Sequence, residues 1–231
     1  MLKTSSIEKI KTKKIYALEG NIGAGKSTIL NIIGKHFKDV QIVEEPVNEW
    51  QNIGGYNLLN YFYSDPQRWG FSFEFYSMLT KITALLKAAD SDKPIIITER
   101  SLFSDSIFIE LSKELRKLDK AEYCMLMNIY DFYLKNVYPE LSGIIYLDTP
   151  VDECIKRISK RNREEECNIK KSYLEALKTK LDKFINSSSM LVIKIDGLYQ
   201  CERDDSIVCD NLWTHLHPNI SPNVVIPCED N

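Results

Sequence analysis

The chain has no apolar run approaching the ~18 residues that a membrane-spanning helix needs, and it has almost no net charge. Its 231 residues contain 30 Lys and Arg against 33 Asp and Glu, a formal net charge of −3. A protein whose whole surface binds nucleic acid is normally strongly basic, so the balance argues against that class. We therefore expect neither a nucleic acid nor a membrane as partner. The 44% of hydrophobic residues is ordinary for a globular protein with a real core.

The six cysteines lack the CxxC spacing of a zinc site or a redox pair. Free thiols in a reducing compartment are the better interpretation than a disulfide framework. Residues 1–13 are basic but include Glu8 and no small-residue cleavage site, so we predict a flexible leader. These features favour a cytoplasmic protein, with a mitochondrial transit segment as the less favoured alternative.

Short apolar runs alternate with longer stretches of helical spacing, which is the pattern of an α/β protein. The sequence predicts one domain over residues 14–216, with a doubly wound parallel sheet. An irregular tail is expected over 217–231, where Pro and Asn are frequent. The predicted strands are Lys14–Leu18, Val40–Val43, Ile95–Thr98, Ile144–Leu147 and Leu191–Ile195.

A glycine-rich segment between the first predicted strand and a predicted helix fits GxxxxGK[ST], the pattern of a phosphate-binding loop. Glycines let backbone N–H groups turn inward around a phosphate, and the helix N-terminus adds positive potential. Lys26 would reach the β- and γ-phosphates, and Ser27 would ligate Mg²⁺. A plain glycine-rich turn is the alternative, but every motif position is filled. The predicted triphosphate-binding residues are Gly20, Asn21, Ile22, Gly23, Ala24, Gly25, Lys26, Ser27 and Thr28.

Carboxylates follow two further predicted strands, and ligands collect at the carboxyl ends of parallel strands. Glu45 follows the second strand, where a carboxylate suits a general base for a hydroxyl acceptor. Glu99 and Arg100 end the third strand. Arg100 could share the charge on a transferred phosphoryl group, and Glu99 could hold Mg²⁺ or act as the base itself. Surface or structural charges are the alternative for these residues. The NKxD and DxxG motifs of a GTP switch are absent from the sequence.

Together these motifs resemble the deoxyribonucleoside kinase family, over about residues 15–196. The resemblance is carried by Gly20–Ser27, by Glu45-Pro46-Val47 with Trp50, by Glu99-Arg100-Ser101, and by a basic run that ends at Glu166. It implies a P-loop kinase fold in which helices surround a five-stranded parallel sheet, usually in a homodimer. The implied reaction moves the ATP γ-phosphate to a deoxynucleoside 5′-hydroxyl, with Mg²⁺.

The resemblance also implies roles for individual residues. A short helical lid over about 157–168 would clamp the triphosphate with Arg157, Arg161 and Arg163. From spacing alone, Glu74, Ser77 and Lys81 form either the solvent-exposed face of a helix or the lining of a polar pocket. The resemblance favours the pocket lining. The acceptor-binding residues it implies are Glu45, Trp50, Leu59, Tyr63, Phe73, Glu74, Arg100, Asp105 and Glu166.

Glu74 departs from the family pattern, because it stands where relatives read the base with a glutamine. An ionised carboxylate only accepts hydrogen bonds, so it suits guanine, which presents two donors on one edge. Asp105 matches deoxycytidine- and deoxyguanosine-type members rather than those that favour thymidine. The sequence therefore predicts a purine preference that leans to deoxyguanosine.

Two other functions stay open from the residues. A nucleoside monophosphate kinase of the thymidylate type would need cations for the acceptor phosphate where this chain has Glu45. A nucleotide-binding regulator without enzymatic activity could use the same phosphate loop and the basic run.

Overall fold

The computed structural model describes residues 4–198 and 206–217, which build one parallel sheet with helices on both faces. The strands are β1 (Lys14–Gly20), β2 (Val40–Val43), β3 (Ile95–Glu99), β4 (Gly143–Asp148) and β5 (Val192–Asp196). Their order across the sheet is β2-β3-β1-β4-β5, and every pair is parallel. The predicted five-stranded parallel sheet is confirmed.

Helices connect the strands, and several begin at residues suited to that position. Asp65 accepts a hydrogen bond from the Arg68 backbone N–H, and Pro66 fits the first turn because its missing N–H has no helical partner. The helices are α1 (Thr4–Ile10), α2 (Lys26–His36), α3 (Val47–Gln51), α4 (Leu58–Ser64), α5 (Pro66–Ala88), α6 (Leu102–Glu114), α7 (Lys120–Asn136), α8 (Val151–Arg161), α9 (Lys171–Ser187) and α10 (Ser206–Leu216).

The central strands are covered on both faces, so they are apolar throughout rather than alternating. In β1, Leu18 joins a buried cluster with Ile33 of α2, whereas Ala17 joins another with Met78 of α5. The carboxyl ends of β2, β3 and β1 are neighbours in this order. The sheet therefore brings together the loops that follow Gly20, Val43 and Glu99.

The predicted flexible leader is corrected in its described part, because helix α1 spans Thr4–Ile10. Ile10 is fully buried in the same cluster as Met78 and Leu86 of α5. The leader prediction followed the basic composition and overlooked that Ile7 and Ile10 share one face of a helix. Burial of that face holds the segment against α5.

The predicted tail has one described residue, His217, and residues 218–231 lie outside the described ranges. His217 is buried, its ring stacks on Trp213 at 4.1 Å between centroids, and its Nε2 lies 2.7 Å from Asp39 Oδ2. At its first residue, therefore, the segment predicted as an irregular tail is packed against the domain.

The segment predicted as a lid comprises the last turn of α8 and the residues after it. Asn162 ends the helix in a left-handed conformation with φ of 51°, and a short 3₁₀ turn follows over Glu164–Glu166. Within the described ranges, no helix combines the length and the apolar character that crossing a membrane requires.

Candidate active site

The phosphate loop between β1 and α2 depends on two glycines in the left-handed region. Gly23 has φ of 76° and Gly25 has φ of 104°, conformations that cost other residues energy. A Cβ on Gly23 would lie 2.5 Å from the carbonyl oxygen of Cys154 in α8. The loop is therefore shaped both by its own backbone and by the close approach of α8.

Lys26 begins α2 and is buried beneath this loop. Its Nζ donates to the carbonyl oxygen of Asn21 at 3.1 Å and lies 3.8 Å from Glu99 Oε1. Burial, followed by the charge of Arg100, lowers the pKa of Lys26 to about 8. A bound polyphosphate would supply the negative charge that a fully protonated Lys26 needs.

Ser27 and Glu99 present hard oxygen atoms to one another at the sheet edge. The Ser27 hydroxyl lies 3.4 Å from both carboxylate oxygens of Glu99. Mg²⁺ is commonly bound by one or two protein oxygens together with substrate phosphates rather than by an all-protein cage. Among the described residues, no group of three or more His, Cys, Asp or Glu is arranged so that it could hold a metal ion. Ser27 and Glu99 therefore fit a magnesium ion that arrives with ATP.

Arg100 and Glu45 form an ion pair across the ends of β3 and β2. Arg100 Nε lies 3.1 Å from Glu45 Oε1, and Arg100 Nη1 donates to the carbonyl oxygen of Gly20 at 3.0 Å. Burial alone would raise the pKa of Glu45, but the charges of Arg100, Lys81 and Lys26 hold it below its usual value. Glu45 is therefore an ionised carboxylate that can accept a proton.

Sequence reasoning missed Glu19, which is fully buried at the end of β1. Its Oε1 accepts a hydrogen bond from the Ser101 hydroxyl at 2.5 Å, directly after Arg100. Burial raises the pKa of Glu19, although Arg100 and Ser101 oppose this. The signal in the sequence was a carboxylate directly after the apolar run Ile15–Leu18. Glu19 supports the turn that presents Arg100, which itself has a left-handed φ of 65°.

All nine predicted acceptor-binding side chains line one cavity of about 380 Å³. Its aromatic wall is fixed by packing: Phe73 stacks on Phe62 at 4.4 Å and meets Trp50 edge-on at 5.4 Å. Trp50 Nε1 donates to the Thr80 hydroxyl at 2.8 Å. The residues brought together here are Glu45, Trp50, Leu59, Tyr63, Phe73, Glu74, Arg100, Asp105 and Glu166.

The polar stripe of α5 faces this cavity, so the stripe is not the solvent-exposed face of the helix. Glu74, Ser77 and Lys81 all line the cavity. Glu74 accepts a hydrogen bond from the Ser112 hydroxyl at 2.8 Å, and burial raises its pKa to about 7. Lys81 pairs with Asp105 Oδ1, whereas the buried Asp105 Oδ2 has no hydrogen-bond partner among the described residues. From α5 and α6, therefore, the cavity receives the carboxyl groups of Glu74 and Asp105 and the ammonium of Lys81, which Asp105 compensates.

A second cavity, of about 570 Å³, opens on the other side of the phosphate loop. Arg157 Nη1 donates to the carbonyl oxygen of Ala24 at 2.6 Å, and Arg161 and Arg163 both pair with Glu166. Of the loop residues, Gly20, Asn21, Ile22 and Ala24 do not line this cavity. It is lined by Gly23, Gly25, Lys26, Ser27, Thr28, Glu99, Arg157, Lys160, Arg161 and Arg163; Lys160 was not predicted.

The two cavities share part of their walls. Gly23, Lys26, Ser27, Glu99, Arg161 and Arg163 line both of them. The two cavities therefore adjoin at the phosphate loop, and Glu45 and Arg100 line only the first of them.

Comparisons with known proteins agree with this geometry. The model of the deoxynucleoside kinase family matches residues 16–217. The chain is similar to a probable deoxycytidine kinase of fowlpox virus, with 35% identity over 225 residues, 95% of this chain and 92% of the relative. Human deoxycytidine kinase is 35% identical over 206 residues, 79% of this chain and 78% of the relative. Human mitochondrial thymidine kinase 2 is 35% identical over 166 residues, which cover 71% of this chain and 62% of the relative.

Proposed function

We propose that this chain, which belongs to the deoxynucleoside kinase family, phosphorylates the 5′-hydroxyl of a purine deoxynucleoside, deoxyguanosine above the others. The family makes it a kinase, with ATP as phosphate donor and an alcohol group as acceptor. The observation that carries the proposal is the ionised Glu45 paired with Arg100 in the wall of the first cavity, directly after Glu99, which lines both cavities.

Glu45 is the proposed general base. Held ionised by Arg100, it would take the proton of the acceptor hydroxyl as that oxygen attacks the γ-phosphate. Arg100 then stabilises charge on the transferred group. Glu99 is engaged by Ser27 and Lys26 and is better placed to hold Mg²⁺, which when bound would neutralise phosphate charge.

The structure disfavours a nucleoside monophosphate as acceptor. Such a substrate carries a phosphate where Glu45 lies, and Glu166 adds a second carboxylate to the same cavity. Arg161 and Arg163 are already paired with Glu166. Like charges at that position would repel an acceptor phosphate, so a neutral alcohol is favoured.

The proposed base preference depends on the acceptors in the cavity. Glu74 and the unpartnered Oδ2 of Asp105 both require donors from a ligand when ionised. Guanine presents N1–H and N2–H₂ donors that these acceptors could bind. The relatives named above include deoxycytidine kinases, and a protonated Glu74 would offer the donor and acceptor pattern of a glutamine.

The Glu74→Gln variant is expected to change the order of substrates. Two opposing acceptors in a buried site cost roughly 1–3 kcal/mol, or ~5–150-fold in affinity. Replacing the carboxylate by an amide should raise kcat/KM for deoxycytidine or deoxyadenosine relative to deoxyguanosine by a factor in that range. Steady-state kinetics with four deoxynucleosides, ATP and Mg²⁺ measure it, and an unchanged KM for ATP serves as control. An unchanged order would reject the role of Glu74, and no activity on any deoxynucleoside would reject the proposed function.

A homodimer is also proposed, with α7 in the interface. Met125 and Phe132 are 51% and 58% exposed and lie seven residues apart, on one face of the helix. A second copy of the chain could cover them. Light scattering should give twice the chain mass for the protein and for Phe132→Leu, but the mass of one chain for Phe132→Glu. A single-chain mass for the unaltered protein would contradict the dimer.

A cytoplasmic location stays a prediction. Cys124, Cys154 and Cys167 form no disulfide, as expected for a reducing compartment. One relative is mitochondrial by name.

A further inference from the structure

Glu74 lies at a buried position where ionising its carboxyl group costs free energy. It is only 5% exposed, and its one described hydrogen bond comes from a neutral serine hydroxyl. The nearby Lys81 is occupied by Asp105, whose own charge further raises the pKa of Glu74. Lys81 still lowers the pKa of Glu74, but it is shared with Asp105, so a second cation would further favour the ionised form.

Lys117 lies on the far side of the aromatic wall from the cavity. Its Nζ is 4.8 Å from the centroid of the Phe62 ring and 4.6 Å from that of Tyr173. Both rings line the cavity, whereas Lys117 does not. The ammonium is thus held by two ring faces, which attract cations, and it forms no ion pair with a described carboxylate.

The backbone of Lys117 is fixed against two neighbours of Glu74, Ser112 and Gly70. Arg116 has a left-handed φ of 56°, which turns the chain after α6 so that the Lys117 N–H donates to the carbonyl oxygen of Ser112 at 2.8 Å. Ser112 is the residue that donates to Glu74. On α5, a Cβ on Gly70 would lie 2.7 Å from the Lys117 carbonyl oxygen, and Gly70 is one helical turn before Glu74.

We propose that Lys117 is a positioning residue that favours the ionised form of Glu74 through the aromatic wall, and thereby tunes the base selectivity of the cavity. Burial lowers the pKa of Lys117, and the charge of Glu74 opposes this. In the other direction, burial raises the pKa of Glu74, and Ser112, Lys81 and Lys117 oppose this. The inference rests on the proposed role of Glu74 in reading the base.

The titration of Glu74 gives the sign of the effect. Its pKa is about 7, so lowering the pH through 7 protonates the carboxyl and gives it a donor. The ratio of kcat/KM for deoxyguanosine to that for deoxycytidine should fall as the pH falls. The other ionisable groups that face Glu74 are Lys81 on α5, Asp105 on α6, Lys117 after α6, and Tyr173 on α9.

The test is the pH profile of that ratio between pH 5.5 and 8.5. In Lys117→Met, which keeps the apolar stem, the inflection should move upward by about one pH unit, the effect of losing one nearby cation. At pH 7.5 the ionised fraction, and with it the ratio, should then fall about threefold. Lys113→Met is the matched control, since Lys113 also lies over a ring, that of Tyr123 at 4.0 Å, but Tyr123 does not line the cavity. Lys117→Arg keeps the charge and should restore the original inflection.

A second measurement separates this inference from the proposed function. Protonation of Glu74 can be measured in the absence of substrate by infrared spectroscopy. The band to follow is the carbonyl band that is present in the unaltered protein and absent from Glu74→Gln. Its titration should shift upward in Lys117→Met and not in Lys113→Met. An unshifted band would overturn the inference even if the base preference holds. A shifted band with an unchanged substrate ratio would support the effect of Lys117 on the protonation of Glu74. It would reject a role of Lys117 in base selectivity. If Lys117→Met does not fold, Lys117→Gln takes its place.

Discussion

Replacing Glu45 by Gln should lower kcat by about 100- to 10,000-fold, the usual contribution of a general base. The amide keeps the size of the side chain but cannot take the proton of the attacking hydroxyl. The KM for ATP should change far less, because Glu45 lines the cavity of about 380 Å³ and not the cavity of about 570 Å³ beside the phosphate loop. Initial rates with saturating ATP and deoxyguanosine measure the effect.

Glu49→Gln is the matched control, since Glu49 is an exposed carboxylate four residues later and lies outside both cavities. It should keep kcat within about twofold. If Glu45→Gln kept kcat to the same degree, the base would have to be another group, and Glu99 would be the next candidate.

Replacing Gly23 by Ala should abolish measurable ATP binding, or raise its Kd by at least about 100-fold. An added Cβ would lie 2.5 Å from the Cys154 carbonyl oxygen and 2.8 Å from Ile158 Cγ1, and the φ of 76° is strained for any other residue. Neither backbone can yield without moving the loop away from α8. The strain alone costs about 1–3 kcal/mol, and the clash adds to it. Calorimetric titration with ATP and Mg²⁺ is the measurement.

Gly34→Ala provides the comparison within α2. A Cβ there would meet only Ile42 Cγ1 at 3.6 Å, and alanine favours a helix. We expect unchanged ATP binding and equal or higher thermal stability. If Gly23→Ala bound ATP as tightly as Gly34→Ala, the loop geometry described above would be wrong.

The features of the fold and the site that could be predicted from the sequence are those that depend on residues close together in the chain. The phosphate loop is an eight-residue pattern between a strand and a helix, and the strands are short apolar runs. The resemblance then supplied the acceptor-binding residues, which do line one cavity. Whether Glu74, Ser77 and Lys81 faced water or the cavity could not be decided by helical spacing, because both faces repeat with the same period.

What was missed depends on contacts between distant parts of the chain. Glu19 bonds Ser101, 82 residues away, and its role appears only when β1 and β3 are paired. Lys117 is one of many charged residues in the sequence. Only the packing of α4 and α9 places Phe62 and Tyr173 beside it. Helix α1 was missed because two isoleucines are too short a pattern to outweigh a basic composition.

The contact between Gly23 and α8 also limits which part of the predicted lid can move. Cys154 and Ile158 touch the loop, and Arg157 is bonded both to it and to the carbonyl oxygen of Gly197. These contacts tie the first two turns of α8 to the phosphate loop. If the predicted lid opens, we expect its pivot beyond Ile158, at Asn162 with its left-handed backbone. Arg161 and Arg163 flank that hinge, so a small rotation there changes the distance between the two guanidinium groups while leaving Arg157 in place.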